Sequence, residues 1–181
     1  RKATDSPLAL ALGVQRDAMG FTDLNQFPEF RVLQESHHVI RGELANVGRW
    51  IRWGSDAADT MGHCQFLTGD WTVFPAYVRA GVGWKRFEDP EGRNRSQLEA
   101  LFSRLPDTLS QTTAILRRIP RADWAGFSRL GARSRLAPHS HQPGSLVYHL
   151  GVVIPPDGTA GLKVGDQVHT WQNDGDAVAF E

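Results

Sequence analysis

Histidine is the residue type in this sequence whose spacing could support catalysis. Three of the seven histidines, His139, His141 and His149, lie within eleven residues. Neutral imidazole binds Fe, Zn, Cu and Ni, so such a group could hold one metal ion. We expect surface or packing roles for three of the others, which are His37, His38 and His169.

The spacing of His139 and His141 would place both imidazoles on one face of an extended strand, because side chains two positions apart point the same way. His149 follows a Pro143-Gly144 turn, and it would return to His139 if the flanking segments pair as a hairpin. His-x-His pairs are also common on protein surfaces. The spacing alone therefore leaves both a metal site and an ordinary surface open.

Composition narrows the classes of protein that could carry such a site. The chain has 181 residues with 20 basic and 20 acidic side chains, which suits one domain and argues against a nucleic-acid binder. No stretch approaches the ~20 apolar residues of a membrane-spanning helix. A single cysteine, Cys64, excludes a disulfide framework. We expect a cytoplasmic protein without a membrane span or a nucleic-acid partner.

The first half of the chain is predicted to be largely helical. Apolar residues over 28–47 have the spacing of an amphipathic helix, in which Gly42 is a weak point. Residues 70–84 are apolar at both parities, which favours a buried strand with an edge or a bulge at Pro75.

Two further helices are predicted in the middle of the chain. The first covers 96–105 and is expected to end at Pro106. The second covers 107–119 and is expected to begin with Asp107 as its N-cap.

From Trp124 onwards, short apolar segments alternate with turn residues. The predicted strands are 125–130, 134–137, 145–154, 160–164, 167–171 and 177–180. Closely spaced strands with regular turn signals are typical of a sandwich, a jelly roll or a barrel. The patterns therefore predict a mainly β core with flanking helices.

Several segments together resemble one enzyme family. FSRLGARSRLAPHSHQPGSLVYHLGVVI over 127–154 combines a strand serine, a P-H segment and an H-L-G strand, and a V-G strand ending in tryptophan follows. GDWTVFPAY over 69–77 and IRGEL over 40–44 match earlier family segments. Over 27–181 the sequence thus resembles the aspartyl/asparaginyl β-hydroxylases, which are iron(II)- and 2-oxoglutarate-dependent oxygenases.

The resemblance implies a fold and a domain plan. The family fold is a double-stranded β-helix, a cupin-like jelly roll with helices packed outside. We accordingly expect a single domain over 1–181, in which an N-terminal helical part (27–68) precedes a β-helix core (69–181). The helices at 96–119 would belong to that core.

The resemblance also implies roles for particular residues. His139 matches the first iron-binding histidine of the family. Ser128 and His149 match residues that hold 2-oxoglutarate, and Trp71 matches a tryptophan that lines the substrate pocket. His141 stands where the family usually has glycine, so it could be a metal ligand or a substrate contact.

Two departures from the family pattern qualify these roles. The second iron-binding histidine of the family would fall beyond Glu181, together with an arginine for 2-oxoglutarate, so we expect a truncated C-terminal strand. Val73 and Val147 stand where the family uses polar or arginine side chains to hold an acidic substrate, and valine cannot pair with a carboxylate. The substrate is therefore expected to differ from peptidyl aspartate or asparagine.

The sequence thus predicts a dioxygenase that uses Fe(II) and 2-oxoglutarate to hydroxylate an amino-acid-like or peptidyl substrate. Two alternatives stay open. One is a cupin-like metalloenzyme that uses His139, His141 and His149 without 2-oxoglutarate. The other is a non-catalytic β-helix domain that serves as a binding module.

Overall fold

The computed structural model describes residues 20–48, 50–52, 66–79, 95–139, 141, 144–157 and 159–181. The predictions for 53–65, including Cys64, and for 80–84 lie outside this part of the chain. Two 3-10 turns, Leu24–Gln26 and Pro28–Phe30, precede the helices α1 (Arg31–Glu35), α2 (His37–Leu44), α3 (Arg95–Thr108) and α4 (Ser110–Leu116). No helix among the described residues is long and apolar enough to cross a membrane.

Ten short strands make up the rest of the described structure. They are β1 (Phe21–Thr22), β2 (Ile51–Arg52), β3 (Phe66–Thr68), β4 (Trp71–Val78), β5 (Trp124–Leu130), β6 (Arg135–Leu136), β7 (Val147–Leu150), β8 (Gly161–Val164), β9 (Gln167–Thr170) and β10 (Ala177–Phe180). Their antiparallel sheets have the orders β1-β10-β7, β2-β4-β5, β3-β6 and β8-β9. The mainly β prediction is confirmed, whereas a closed double-stranded β-helix stays a prediction.

The strand pattern of the sequence is found in the structure. Each of the six segments predicted after Trp124 contains a strand, from β5 to β10. The β4–β5 register shifts between Pro75 and Tyr77, so the predicted irregularity at Pro75 is confirmed. Proline has no N–H to give to the ladder, and a bulge removes the need for one.

The helix boundaries differ from the prediction. The segment over 28–47 begins with a 3-10 turn and is interrupted at Ser36, which separates α1 from α2. The prediction that Pro106 ends a helix and Asp107 begins another is wrong, because α3 continues to Thr108. Pro106 removes one backbone hydrogen bond from α3. The helix continues past it because this turn buries Leu105 and Leu109 on either side of the proline.

A carboxylate from α2 caps the first turn of α4. The oxygens of Glu43 accept hydrogen bonds from the backbone N–H groups of Gln111 (2.9 Å) and Thr112 (2.7 Å). Burial alone would raise the pKa of Glu43, but these backbone bonds and the one from the Ser110 hydroxyl outweigh it and lower the pKa from its usual value of 4.5. This cap joins α2 to α4.

The helices cover one face of the main sheets. Phe74 of β4 and Phe127 of β5 are paired, and both belong to a core shared with the helices through Leu33, Ile40, Leu105, Leu109 and Leu116. Tyr148 and Leu150 of β7 pack against the same core. Since side chains alternate along a strand, the residues between these positions lie on the opposite face.

Candidate active site

The face of β7 and β10 turned away from the helical core carries one of the predicted site residues. His149 pairs with Val178, and Val147 pairs with Phe180. Strand alternation places these four side chains together, because Tyr148 and Leu150 point to the core. The antiparallel pairing therefore surrounds His149 with hydrocarbon and aromatic neighbours.

His139 and His141 reach this region from the segment after β6. Both lie outside the strands, and β7 pairs with β10 instead of β6, so the three histidines do not meet through the hairpin considered from the sequence. The three histidines are nevertheless close. The ring centroids of His139 and His141 are 5.5 Å apart, and Phe180 lies 5.8 Å from His141 and 5.4 Å from His149.

Trp71 and Ser128 form a hydrogen-bonded pair on the outer face of β4 and β5. The Trp71 indole N–H donates to Ser128 Oγ at 2.6 Å. The Trp71 ring lies 6.4 Å from the ring of His139. A continuous series of contacts thus runs from Ser128 through Trp71, His139 and His141 to Phe180 and His149.

The hydrogen bond at His139 fixes the tautomer of its imidazole ring. Nδ1 lies 2.9 Å from the carbonyl oxygen of Ala137. A carbonyl only accepts, so Nδ1 must carry the hydrogen, and Nε2 then presents its lone pair. The residue is exposed to solvent. A backbone carbonyl that fixes the tautomer is the usual arrangement behind a metal-binding histidine.

His149 is held against Trp171, whose ring is stacked on the imidazole at 6.4 Å and 16°. Gly151 makes this approach possible, since a Cβ there would come within 2.9 Å of Trp171 Cδ1. Burial, together with the neighbouring His141 and His139, lowers the pKa of His149 to about 4. The His149 ring is therefore neutral at pH 7.

A family model for aspartyl/asparaginyl beta-hydroxylase matches residues 34–181. The chain belongs to this family. The match covers Trp71, Ser128 and the three clustered histidines, so all the residues of the candidate site lie inside it. No curated protein matches the chain at a significant level.

As a member of a hydroxylase family, the chain is expected to provide several ligands for a metal. Among the residues that the structure describes, no group of three or more His, Cys, Asp or Glu side chains is placed to hold one. The donor chemistry of His139 fits iron(II), because imidazole nitrogen is a normal ligand of that ion.

Two residues of this hydroxylase's site were missed in the sequence. Phe180 contacts both His141 and His149, and Trp171 stacks on His149. Phe180 could have been found by parity, since it alternates with Val178 on a strand that must cover an apolar face. Trp171 was located only as the tryptophan that ends the V-G strand, and its stacking on His149 had no local signal, because the loop that returns it to His149 is set by tertiary contacts.

In this β-hydroxylase family member, Arg129, which follows Ser128, points away from the three clustered histidines. Arg129 pairs with Thr72 and donates from Nε to Thr72 Oγ1 at 3.2 Å. Its guanidinium lies 4.8 Å from the Trp50 ring, which packs on the helical core. The face that bears Ser128 instead carries Val73, its direct partner across the ladder.

His169 and His37 make packing contacts elsewhere. The His169 ring lies 5.1 Å from Trp171, and its Nε2 is 3.1 Å from the Asp176 carboxylate. His37 Nδ1 lies 2.9 Å from the carbonyl of Gln34 within the helical layer. These contacts agree with the packing roles expected for both histidines.

Proposed function

We propose that this family member is an iron(II)- and 2-oxoglutarate-dependent oxygenase that hydroxylates a C–H bond of an amino-acid-like or peptidyl substrate. The observation that supports it best is the contact series between Ser128 and His149 through His139. Membership of the hydroxylase family and the fixed tautomer of His139 agree with this function.

His139 would hold the metal through Nε2. Bound iron(II) and 2-oxoglutarate would supply the oxidising chemistry that places an oxygen atom from O₂ in a C–H bond. Phe180, at the end of β10, lies beside His141 and His149, so in a longer chain the residues after Glu181 would start next to the metal position. The second iron-binding histidine that the resemblance implies would fit there.

Ser128 and His149 would hold the carboxylates of 2-oxoglutarate. The Ser128 hydroxyl donates one hydrogen, and the neutral His149 ring donates one more from a ring N–H. Burial and the two neighbouring histidines lower the pKa of His149 to about 4, so the ring offers a carboxylate a hydrogen bond without a full positive charge.

The substrate would present an uncharged group to the cluster. Val73 pairs with Ser128, and Val147 pairs with Phe180, so valine stands on both strand pairs next to the proposed ligands. Arg129 is committed to Thr72 and Trp50 on the opposite face. His141, which is exposed, would contact the substrate or add a metal ligand.

Ligand-induced stabilisation tests this proposal. A ligand that binds only the native state at about 100 times its Kd stabilises by about 2.7 kcal/mol, so 2-oxoglutarate should raise the Tm of the iron(II)-loaded, oxygen-free full-length protein. Ser128→Ala should reduce this shift, while Ser103→Ala in α3 should keep it, since the Ser103 hydroxyl donates to the Ala100 carbonyl of its own helix. An unchanged Tm with 2-oxoglutarate in the wild type would favour the alternatives without this cosubstrate.

A further inference from the structure

We propose that Trp71 is a positioning residue for Ser128, whose hydroxyl it fixes as a donor toward the carboxylate of an anionic ligand. The inference rests on the proposed function only for the identity of that ligand, 2-oxoglutarate. The role differs from the one implied by the resemblance, in which Trp71 only lines the substrate pocket. The bond between the two side chains is the basis for it.

The sheet register brings the two side chains together. Val73 pairs with Ser128 and Trp71 pairs with Leu130, so Trp71 and Ser128 are diagonal neighbours on one face of β4 and β5. A diagonal separation is within reach of a large aromatic side chain. The indole Nε1 accordingly lies 2.6 Å from Ser128 Oγ.

The two partners differ in exposure. Trp71 is only 8% exposed, whereas Ser128 is exposed. The indole is therefore held by the surrounding protein, while the hydroxyl that it bonds is open to a ligand. The buried tryptophan can therefore orient the exposed serine.

Hydrogen-bond capacity sets the direction of the serine O–H. An indole N–H can only donate, and a serine hydroxyl has one hydrogen and two lone pairs. The bond from Trp71 occupies a lone pair, so the hydroxyl hydrogen must point to a different acceptor. Donation into the oxygen also polarises the O–H and strengthens its own donated bond. A carboxylate is the acceptor that gains most, because hydrogen bonds to charged groups are the stronger ones.

A ring contact of Trp71 places this serine next to the proposed metal ligand. The indole ring lies 6.4 Å from the ring of His139, with the planes inclined by 34°. One buried side chain therefore adjoins both the residue that would bind the cosubstrate carboxylate and the residue that would bind iron.

A double-mutant cycle tests the proposal. The Kd for 2-oxoglutarate is measured by calorimetry on the manganese(II)-loaded full-length protein with Trp71→Phe, Ser128→Ala and the double variant. We expect each single change to weaken binding about tenfold, the size of one lost hydrogen bond to a charged group. The double variant should be no weaker than Ser128→Ala alone, because Trp71 acts through Ser128. Losses that multiply would overturn the positioning role.

A second measurement is independent of the cosubstrate and of the fate of the Trp71 variant. Ser128→Ala keeps the tryptophan and removes its acceptor, so the NMR resonance of the Trp71 indole N–H should move upfield. Trp124→Phe identifies another indole signal and serves as the folding control. An indole resonance that Ser128→Ala leaves unmoved would overturn the proposal.

The outcomes distinguish this proposal from the proposed function. Wild-type protein that does not bind 2-oxoglutarate would refute the proposed function. Wild-type protein that binds it, with losses that multiply in the double variant, would refute only the role of Trp71.

Discussion

Glu43 shows how one side chain can serve a distant helix. The N-cap position of α4 is Leu109, which provides no side-chain hydrogen bond. Glu43 replaces that missing cap from α2 with bonds to two backbone N–H groups of α4. Glu43 is only 7% exposed, so its loss would leave the buried backbone N–H of Thr112 without this acceptor.

The first prediction concerns Glu43→Gln. Because the folded pKa lies below 4.5, the contribution of Glu43 to stability is complete above that value and is lost as the pH falls through the folded pKa. Urea unfolding should show a loss of about 1–3 kcal/mol at pH 7 and a smaller loss at pH 3. Glu35→Gln, at an exposed position of α1, should change little. A loss of equal size at both pH values would contradict the role of the charge.

The second prediction concerns the kind of contact that His149 makes. If its neutral ring donates a hydrogen bond, His149→Gln should keep most of the affinity for 2-oxoglutarate, because the amide also donates. His149→Leu has no donor and should weaken binding about tenfold. Calorimetry on the manganese-loaded protein measures both Kd values. Equal losses in the two variants would show that the amide cannot replace the ring.

At the scale of elements, replacing Gly69 or Gly42 with alanine should change the stability of the protein in opposite directions. Gly69 precedes β4 with φ +94°, and a Cβ there would lie 2.5 Å from the Ser134 Cα. Gly42 lies in α2 with open space around its Cα. The third prediction is that Gly69→Ala lowers the Tm, while Gly42→Ala raises stability by about 0.5–1 kcal/mol. Thermal unfolding decides, and a stabilised Gly69→Ala protein would refute the described turn.

The fourth prediction concerns the junction of α3 and α4. Leu109 is 0% exposed and belongs to the core below β4 and β5. Leu109→Ala should therefore cost about 2–5 kcal/mol of unfolding free energy in urea titrations. Val168→Ala removes two methyl groups from a side chain that is 66% exposed and should cost below about 0.5 kcal/mol. Similar costs for both variants would place Leu109 outside the core.

The positions of the strands were easier to predict from the sequence than the strands with which they pair. Apolar runs and turn residues located β5 to β10, because both signals are local. The sequence suggested a possible hairpin between the segments of His139 and His149, but β6 pairs with β3 and β7 with β10, which are strands far away in sequence. The helix end at Pro106 was wrong for a related reason, because the burial of Leu109 depends on the whole core.

At the scale of the molecule, the two faces of the main sheets have different roles: one face packs on the helices, and the other carries residues of the candidate site. The residues at one parity pack on the helices and build the core, and those at the other carry Trp71, Ser128 and His149. The sequence located each of these side chains through its resemblance to the family. It could not predict the bond between Trp71 and Ser128 or the stacking of Trp171 on His149, because both depend on register and loop closure.

If His139 holds iron for the turnover of 2-oxoglutarate, succinate formation must depend on this side chain. With iron(II), O₂ and 2-oxoglutarate, the full-length wild-type protein should form succinate, and so should His38→Ala, whose residue is exposed on α2. His139→Ala should form no succinate above the metal-free background. Turnover by His139→Ala at the wild-type rate would contradict it.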